Sequence, residues 1–255
     1  MRIYRYRYQG KIQRGVLKEE KLYPIRGSMY RKFAVGRSGV AISRVLLLPP
    51  VLPGKIVAVG RNYRDHAAER GKPVPKQPLL FLKPPSAVIG PHDSILYPDM
   101  AGRVDYEGEL ALVIKRRAAR LTEDDDVVPY ILGYTCMNDV TARDLQDKDG
   151  QWTRAKGFDT FAPLGPCIAT DLDPARLKLK TFLNGKLRQT GNTRNLIFPV
   201  PFLLRYISRI MTLEPGDVVT TGTPAGVGPM TPGDRVDVQI EGIGTLSNTV
   251  MRVKP

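Results

Sequence analysis

Three carboxylates stand where one divalent cation could bind all of them. Glu107 and Glu109 flank a glycine just before the apolar run 110–114, and Asp139 ends a second segment. In a β-strand successive side chains alternate between faces, so Glu107 and Glu109 point the same way. Because two neighbouring like charges repel, the pair suggests a positive group above it. The alternative is a solvated strand end.

The composition restricts which cation is plausible. The 255 residues include only two histidines, His66 and His92, and two cysteines, Cys136 and Cys167. Zinc sites are built from clustered His and Cys, so we expect none here. Carboxylate oxygens suit hard ions, which leaves Mg²⁺, Mn²⁺ and Ca²⁺ as the candidates. Unpaired thiols, no recognisable signal peptide and no apolar run of about 18 residues predict a cytoplasmic protein without a membrane partner.

The chain is strongly basic, with 39 Lys and Arg against 25 Asp and Glu and a net charge of +14. Such an excess raises nucleic acid as a partner. At the amino terminus Tyr4, Tyr6 and Tyr8 share one strand face, which could stack on bases. We favour instead an amphipathic first strand with its tyrosines inward, and no nucleic-acid partner. The positive charge would then attract a small anionic substrate.

A proline-rich stretch, 48–54, marks a domain edge. We therefore predict a small N-terminal β-rich domain and linker over 1–53 and a larger second domain over 54–255. Strand patterns with few helices predict the α+β class, mostly β.

A short helix from Asn62 to Gly71 is predicted after a strand at 56–59. It would place His66 and Glu69 three residues apart on one face, close enough to touch. Since the following segment to residue 78 is rich in proline, we hypothesise that 62–78 is a mobile lid over the carboxylates.

Elsewhere, Thr122 followed by four acids predicts a capped helix start. A longer helix is expected over 199–210 with Pro201 in its first turn. β-Branched runs broken by Gly and Pro predict a meander over 217–250. The glycine-rich stretch 221–228 is either a tight turn or a backbone anion site, but it lacks the Lys-Ser or Lys-Thr of a phosphate loop.

Six motifs in order along the chain carry a family resemblance. They are Val59-Gly60-Arg61-Asn62-Tyr63 with His66 and Glu69, Phe81-Leu82-Lys83-Pro84, Asp105-Tyr106-Glu107-Gly108-Glu109-Leu110, Asn138 to Gln146, Lys156-Gly157-Phe158-Asp159, and Thr221 to Gly228. Over roughly residues 54–253 the chain resembles the fumarylacetoacetate hydrolase family. Residues 1–50 resemble the small β domain that some members carry ahead of the catalytic domain.

The resemblance implies a mixed β-roll or barrel catalytic domain, usually a homodimer. It implies that Glu107, Glu109 and Asp139 bind Mg²⁺ or a similar ion. It also implies reactions of small oxo acids that pass through an enolate beside a carboxylate.

The family's motifs also suggest roles for seven further residues. Lys156 would add positive charge at the developing enolate oxygen. His66 would take a proton from water, with Glu69 orienting its ring. Substrate would contact Lys83, Arg143, Gln146 and Thr223. Alternatively, Arg143 pairs with Asp144 or Asp139 and shapes its loop. Lys83 could likewise be an ordinary lysine on an edge strand.

Hydrolysis of a carbon–carbon bond in acylpyruvate-type substrates is the function that we place first. An isomerase of the hydroxyheptadienedioate type or an oxaloacetate decarboxylase could use the same site. A third alternative, of a different class, is a basic nucleic-acid-binding protein that has kept the fold without activity.

Overall fold

The computed structural model describes residues 1–252, and strands dominate it, as the sequence predicts. The helices are α1 Arg64–Glu69, α2 Arg143–Asp149, α3 Thr153–Gly157 and α4 Val200–Ile210, with short 3₁₀ turns at Ile42–Arg44, Pro85–Ala87, Val128–Tyr130 and Thr193–Asn195. The strands are β1 Arg2–Tyr8, β2 Lys11–Lys18, β3 Lys21–Gly27, β4 Phe33–Val35, β5 Val40–Ala41, β6 Leu46–Leu48, β7 Ile56–Gly60, β8 Leu79–Lys83, β9 Val88–Ile89, β10 Ser94–Tyr97, β11 Val104–Tyr106, β12 Gly108–Ile114, β13 Ile131–Asn138, β14 Thr141–Ala142, β15 Ala162–Ala169, β16 Lys178–Leu183, β17 Lys186–Asn192, β18 Val218–Thr220, β19 Gly228–Met230, β20 Arg235–Ile240 and β21 Gly244–Arg252.

Two mixed sheets and one antiparallel sheet make up the architecture of residues 1–252. The largest runs in the order β4-β3-β2-β1-β15-β13-β12-β18-β7-β8, with β5, β6 and β9 attached to β3, β1 and β15. A five-stranded sheet has the order β10-β21-β20-β16-β17, and a three-stranded sheet the order β14-β11-β19. Within residues 1–252 no sheet order returns to its first strand, so the expected roll is open rather than a closed barrel.

Strand β12 is buried on both faces and organises the core. Leu110, Leu112 and Ile114 join a cluster that includes the five-stranded sheet and the apolar side of α4. Ala111 and Val113 point the opposite way, into a second cluster. Ala111 and Val113 therefore lie on the same face of β12 as Glu109.

A third apolar cluster lies under α2 and α3. Leu145 of α2 and Ala155 of α3 pack against Val104, Tyr106 and neighbouring residues of the three-stranded sheet. Because this cluster fixes α3, it also fixes the backbone of Lys156.

The tyrosines of β1 face inward, as predicted. Tyr4 and Tyr6 are buried in the main core and Tyr8 packs against it. Their rings are therefore not exposed for stacking on bases. β1 also pairs with β15 through Arg2 and Ala169, so the N-terminal segment extends the main sheet.

Two helix predictions were wrong in detail. No helix starts at Thr122; the carboxylate of Asp125 accepts the N–H and O–H of Thr122, and the chain forms a turn there. Asn62 does not cap α1, whose N-cap is Tyr63. The amide of Asn62 instead donates to the carbonyls of Phe198 and Thr221 at 3.0 and 2.8 Å.

The meander predicted over 217–250 was also wrong in part. β20 and β21 form a hairpin, but β18 belongs to the largest sheet and β19 to the three-stranded sheet. The helix expected over 199–210 is present as α4. Within residues 1–252 no helix is long and apolar enough to cross a bilayer.

Candidate active site

Strand pairing brings Glu107 and Asp139 together although 31 residues separate them. β12 and β13 are antiparallel, and Gly108 lies opposite Asn138. The residue before one strand therefore meets the residue after the other, and the N–H of Asp139 donates to the carbonyl of Glu107 at 2.8 Å. The side chain of Asn138 accepts the N–H of Glu107 at 2.9 Å.

Glycine is required between the two glutamates. A Cβ at Gly108 would lie 2.2 Å from the hydroxyl oxygen of Thr181 in the neighbouring sheet. The acidic strand end therefore packs directly on β16. This packing makes the strand end a buried surface, which excludes the solvated alternative.

Glu107, Glu109 and Asp139 are all buried, with one carboxylate oxygen of each within 4.8 Å of the others. Glu109 accepts the N–H of Gly222 at 2.9 Å, but among residues 1–252 no Lys, Arg or His nitrogen lies within 4.0 Å of it. Burial, with the charges of Asp139 and Glu107, raises the pKa of Glu109 well above its ordinary value. A cation bound beside Glu109 would offset the free-energy cost of its buried negative charge.

Two buried lysines contact the same cluster. Lys156 donates to Glu107 at 2.9 Å and to Asp139 at 2.5 Å, and it lies 5.0 Å from the centre of the Phe81 ring. Burial opposes its charge, but Asp139 and Glu107 raise the pKa of Lys156. Lys83 donates to the other oxygen of Asp139 at 2.6 Å, and burial lowers its pKa to about 8. Lys83 is therefore not an exposed edge lysine.

Arg143 is the third cation, and its partners differ from those suggested by the sequence. Its guanidinium donates to Asp105 at 2.9 Å, to Glu107, and to the side-chain oxygen of Gln146 at 2.5 Å. Burial works against the charge of Glu107, but Lys156 and Arg143 outweigh it and hold the pKa of Glu107 below its usual range. Arg143 pairs with neither Asp139 nor Asp144, the partners suggested by the sequence. Asp105 lies beside the group of three carboxylates and does not belong to it.

The histidine and glutamate expected to touch do so. Nδ1 of buried His66 lies 3.2 Å from a carboxylate oxygen of Glu69. The other oxygen of Glu69 accepts the N–H of Gly226 at 2.9 Å. The glycine-rich turn thus presents backbone N–H groups to the protein's own carboxylates, Glu69 and Glu109.

Thr223 is held within the fold as well. Its hydroxyl donates to the carbonyl of Gly108 at 2.9 Å and accepts from the amide of Gln189 at 2.8 Å. Gln189 also accepts the N–H of Gly108. Sequence reasoning missed Gln189, because a lone glutamine on a strand carries no local signal for this role.

One cavity of about 310 Å³ collects most of these groups. All three carboxylates line it, as do His66, Lys156, Arg143, Gln146 and Thr223 among the predicted residues. Lys83 lies behind Asp139 and Glu69 behind His66, so neither lines the cavity itself. Arg61, Arg70 and Trp152 complete much of its wall, and none of them was predicted to belong to the site.

The donor set suits a divalent cation of the hard type. All three donors are carboxylate oxygens, one of them lacks a cationic partner, and no imidazole or thiol belongs to the group. Three protein ligands leave coordination positions for a substrate. Together with Asp105, the three carboxylates carry four negative charges against three positive charges on Lys83, Lys156 and Arg143, so a bound divalent ion would make this group positive overall.

Sequence comparison agrees with this geometry. The family model described as fumarylacetoacetate (FAA) hydrolase C-terminal matches residues 55–251. The chain belongs to the fumarylacetoacetate hydrolase family. A second model, described as Rv2993c-like N-terminal, matches residues 1–50.

Among family members, a protein of Archaeoglobus fulgidus is 58% identical over 214 residues, 84% of this chain and 85% of that protein. Oxaloacetate tautomerase YisK of Bacillus subtilis is 42% identical over 225 residues, 82% of this chain and 74% of that protein.

Solved structures of the family superimpose closely. Structures titled 5-carboxymethyl-2-hydroxymuconate delta-isomerase of Mycobacterium smegmatis and 2-hydroxyhepta-2,4-diene-1,7-dioate isomerase of Mycobacterium marinum each give a TM-score of 0.92. Their identities are 43% and 42%, over 99% and 100% of this chain and all of each of theirs. Maleylpyruvate hydrolase of Sphingobium, in complex with manganese(II) and pyruvate, gives 0.82 at 31% identity over the full length of both chains.

Proposed function

We propose that this protein is a divalent-metal-dependent isomerase that moves a proton within a small 2-oxo dicarboxylate through an enolate. The observation that carries the proposal is the His66–Glu69 pair beside the three buried carboxylates and Lys156. In this arrangement His66 is the acid–base group. Lys156 and a cation held by the carboxylates would place positive charge where an enolate oxygen forms.

His66 has the arrangement that a proton shuttle needs. When Nδ1 donates its proton to Glu69, Nε2 keeps a lone pair that can take a proton from the carbon next to the 2-oxo group. The electron pair of that C–H bond forms a C=C bond to the 2-oxo carbon, and the π electrons of the C=O bond move to the oxygen to give the enolate. His66 then returns the proton to the oxygen or to another carbon, and the net change is an isomerisation.

Charge in the site supports the enolate. Glu69 stabilises the imidazolium form of His66 while the proton is held there. Lys156 adds a positive charge among the cavity residues at the developing oxygen. A divalent cation at Glu107, Glu109 and Asp139 would supply Lewis-acid stabilisation of that oxygen, with Mg²⁺ our first candidate.

Isomerisation is better supported than the hydrolysis that we placed first on sequence grounds. The isomerase and tautomerase relatives are 42–43% identical to this chain, whereas a fumarylacetoacetate hydrolase of Exiguobacterium antarcticum is 38% identical and maleylpyruvate hydrolase 31%. Proton transfer also needs only one base that removes and returns a proton. Hydrolysis needs in addition a water oriented for attack on the distal carbonyl.

The lid hypothesis for 62–78 belongs to the same proposal. Residues 72–77 lie at the surface, mostly exposed, whereas α1 is tied to the turn by the bond from Gly226 to Glu69. Opening would therefore break that bond and carry His66 away from the carboxylates.

A single set of turnover assays tests the function. Enol-oxaloacetate, a hydroxymuconate-type diacid and acetylpyruvate are each supplied with Mg²⁺ and then with EDTA, and loss of enol, pyruvate release and acetate release are followed separately. We expect enol or double-bond isomerisation of the diacids that EDTA abolishes. Acetate release from acetylpyruvate as the fastest reaction would establish the hydrolase instead, and pyruvate release from oxaloacetate the decarboxylase. Activity unaffected by EDTA and by Glu109→Gln would refute the metal-enolate chemistry.

A further inference from the structure

Arg61 is a cavity residue whose charge has no carboxylate partner among residues 1–252. It follows β7 directly and lines the cavity. Its Nε is buried without any hydrogen-bond partner among residues 1–252, and no carboxylate in that range lies within 4.0 Å of its guanidinium. Leaving a buried donor of a charged group unpaired costs free energy, so such a group is suited to a ligand.

The backbone at Arg61 is unusual too. Its φ is +55°, in the left-handed region that non-glycine residues seldom adopt. The preceding residue, Gly60, packs under Trp152, since a Cβ there would lie 2.8 Å from the indole ring. Phe81 meets the same ring edge-on at 5.2 Å. The loop is thus held against a rigid aromatic wall, and the strain fixes the direction in which the Arg61 side chain leaves the chain.

The other guanidiniums of the cavity are engaged. Arg143 is bound to Asp105, Glu107 and Gln146, and Arg70 donates to Asp147 at 2.8 Å. The ammonium of Lys156 bridges Glu107 and Asp139. These cations are balanced by protein carboxylates and gain less from an added anion.

A 2-oxo dicarboxylate has a second carboxylate that must also leave water. Its 2-oxo acid end would occupy the carboxylate cluster and Lys156, which accounts for one of its two charges. The distal carboxylate needs a donor elsewhere in the same cavity. A guanidinium can receive it through two parallel N–H···O bonds.

We propose that Arg61 binds the distal carboxylate and makes the enzyme selective for dicarboxylates over 2-oxo monocarboxylates. This rests on the proposed function, because it assumes that the 2-oxo end lies at Glu107, Glu109 and Asp139. Lys72 lines the same cavity and, in the part of the chain that the structure describes, also has no carboxylate partner within 4.0 Å. Its exposed ammonium is hydrated already and gains less from a ligand.

A binding experiment tests Arg61 without turnover. The Mg²⁺-loaded protein is titrated calorimetrically with 2-oxoglutarate and with 2-oxopentanoate, which have the same chain length and 2-oxo acid end but differ in the distal carboxylate. We expect wild type to bind the diacid about 10- to 100-fold more tightly, the range for hydrogen bonds to a charged group. Arg61→Gln should remove most of that ratio, and Arg61→Lys should restore part of it.

Matched variants decide between alternatives. Arg64→Gln, at an exposed arginine that does not line the cavity, should keep the wild-type ratio. A ratio lost in Lys72→Gln but kept in Arg61→Gln would overturn the assignment, as would an equal weakening of both ligands in Arg61→Gln. Thermal unfolding confirms that each variant is folded.

Kinetics separate this inference from the proposed function. The same variants are assayed with enol-oxaloacetate and its 4-methyl ester, which lacks the distal charge. Wild type that isomerises neither substrate yet keeps the 2-oxoglutarate preference would refute the function and leave the Arg61 assignment standing. If wild type isomerises oxaloacetate and Arg61→Gln keeps the wild-type ratio of activity on the diacid to activity on the ester, the proposed function would stand and the Arg61 assignment would be refuted.

Discussion

Replacing Glu109 by glutamine isolates the carboxylate that has no cationic partner among residues 1–252. In EDTA, burial and the charges of Asp139 and Glu107 raise the pKa of Glu109 in the folded state. Above the ordinary glutamate value of 4.5 the folded protein keeps a proton that the unfolded chain has lost. Wild-type stability should therefore fall as pH rises from that value toward the raised pKa. Glutamine has no titrating proton at this position, so the stability of the variant should not show this fall with pH.

The size of the effect follows from linkage. One retained proton changes the free energy of unfolding by about 1.4 kcal/mol for each pH unit. The opposite contribution of Glu107, whose pKa is lowered, belongs to pH values below 4.5 and does not mask it. At pH 7, Mg²⁺ at 100 times its Kd should add about 2.7 kcal/mol to wild type. The variant should lose most of that gain, because a neutral amide replaces a charged ligand.

Urea unfolding, followed by the fluorescence of Trp152, the chain's only tryptophan, measures both effects between pH 5 and 8. Glu123→Gln, at an exposed glutamate, serves as the control and should follow wild type. If the free energy of unfolding has the same pH slope for wild type and Glu109→Gln in EDTA, Glu109 is not a buried carboxylate that lacks a compensating cation. Equal stabilisation of both by Mg²⁺ would show that Glu109 is not a ligand.

His66→Asn should lower kcat about 10²- to 10⁴-fold while Mg²⁺ still stabilises the fold; loss of that stabilisation in urea unfolding would indicate a structural role instead. Gly226→Ala puts a Cβ 2.2 Å from the carbonyl oxygen of Arg188 at a φ of +97°. We expect a loss of about 1–3 kcal/mol in urea unfolding, and an unchanged midpoint would contradict the contact. Burial raises the pKa of the Cys167 thiol from 9.0 to about 11, so its contribution to stability is lost as pH rises from 9 toward 11. Cys167→Ala should flatten the pH profile of stability there, and a slope equal to that of wild type would count against burial of the thiol.

The acidic cluster could be anticipated because it depends on local rules. Alternation along one strand orients Glu107 and Glu109, and helical spacing joins His66 to Glu69. Both relations are fixed within a few residues of sequence. The position of Asp139 needed the family resemblance, since strand register between distant segments is not visible in a single sequence.

Partners that depend on long-range packing were not predictable in the same way. Arg143 has an acid as its immediate neighbour, Asp144, yet its guanidinium binds Asp105 and Glu107. At Thr122 the side chain of Asp125 accepts the backbone N–H, as it would at a helix start, yet the chain forms only a turn. The local signal at Thr122 was therefore present, and it did not determine whether the chain continued as a helix.

The pairing of β1 with β15 has a consequence for the small N-terminal segment. Ile3 lies opposite Ile168, and Tyr4 and Tyr6 cover the same core as Cys167. A chain cut at residue 54 would leave β15 with unpaired backbone groups and apolar side chains at a sheet edge, a template for pairing with other molecules. We therefore expect the first 53 residues to protect this sheet from aggregation.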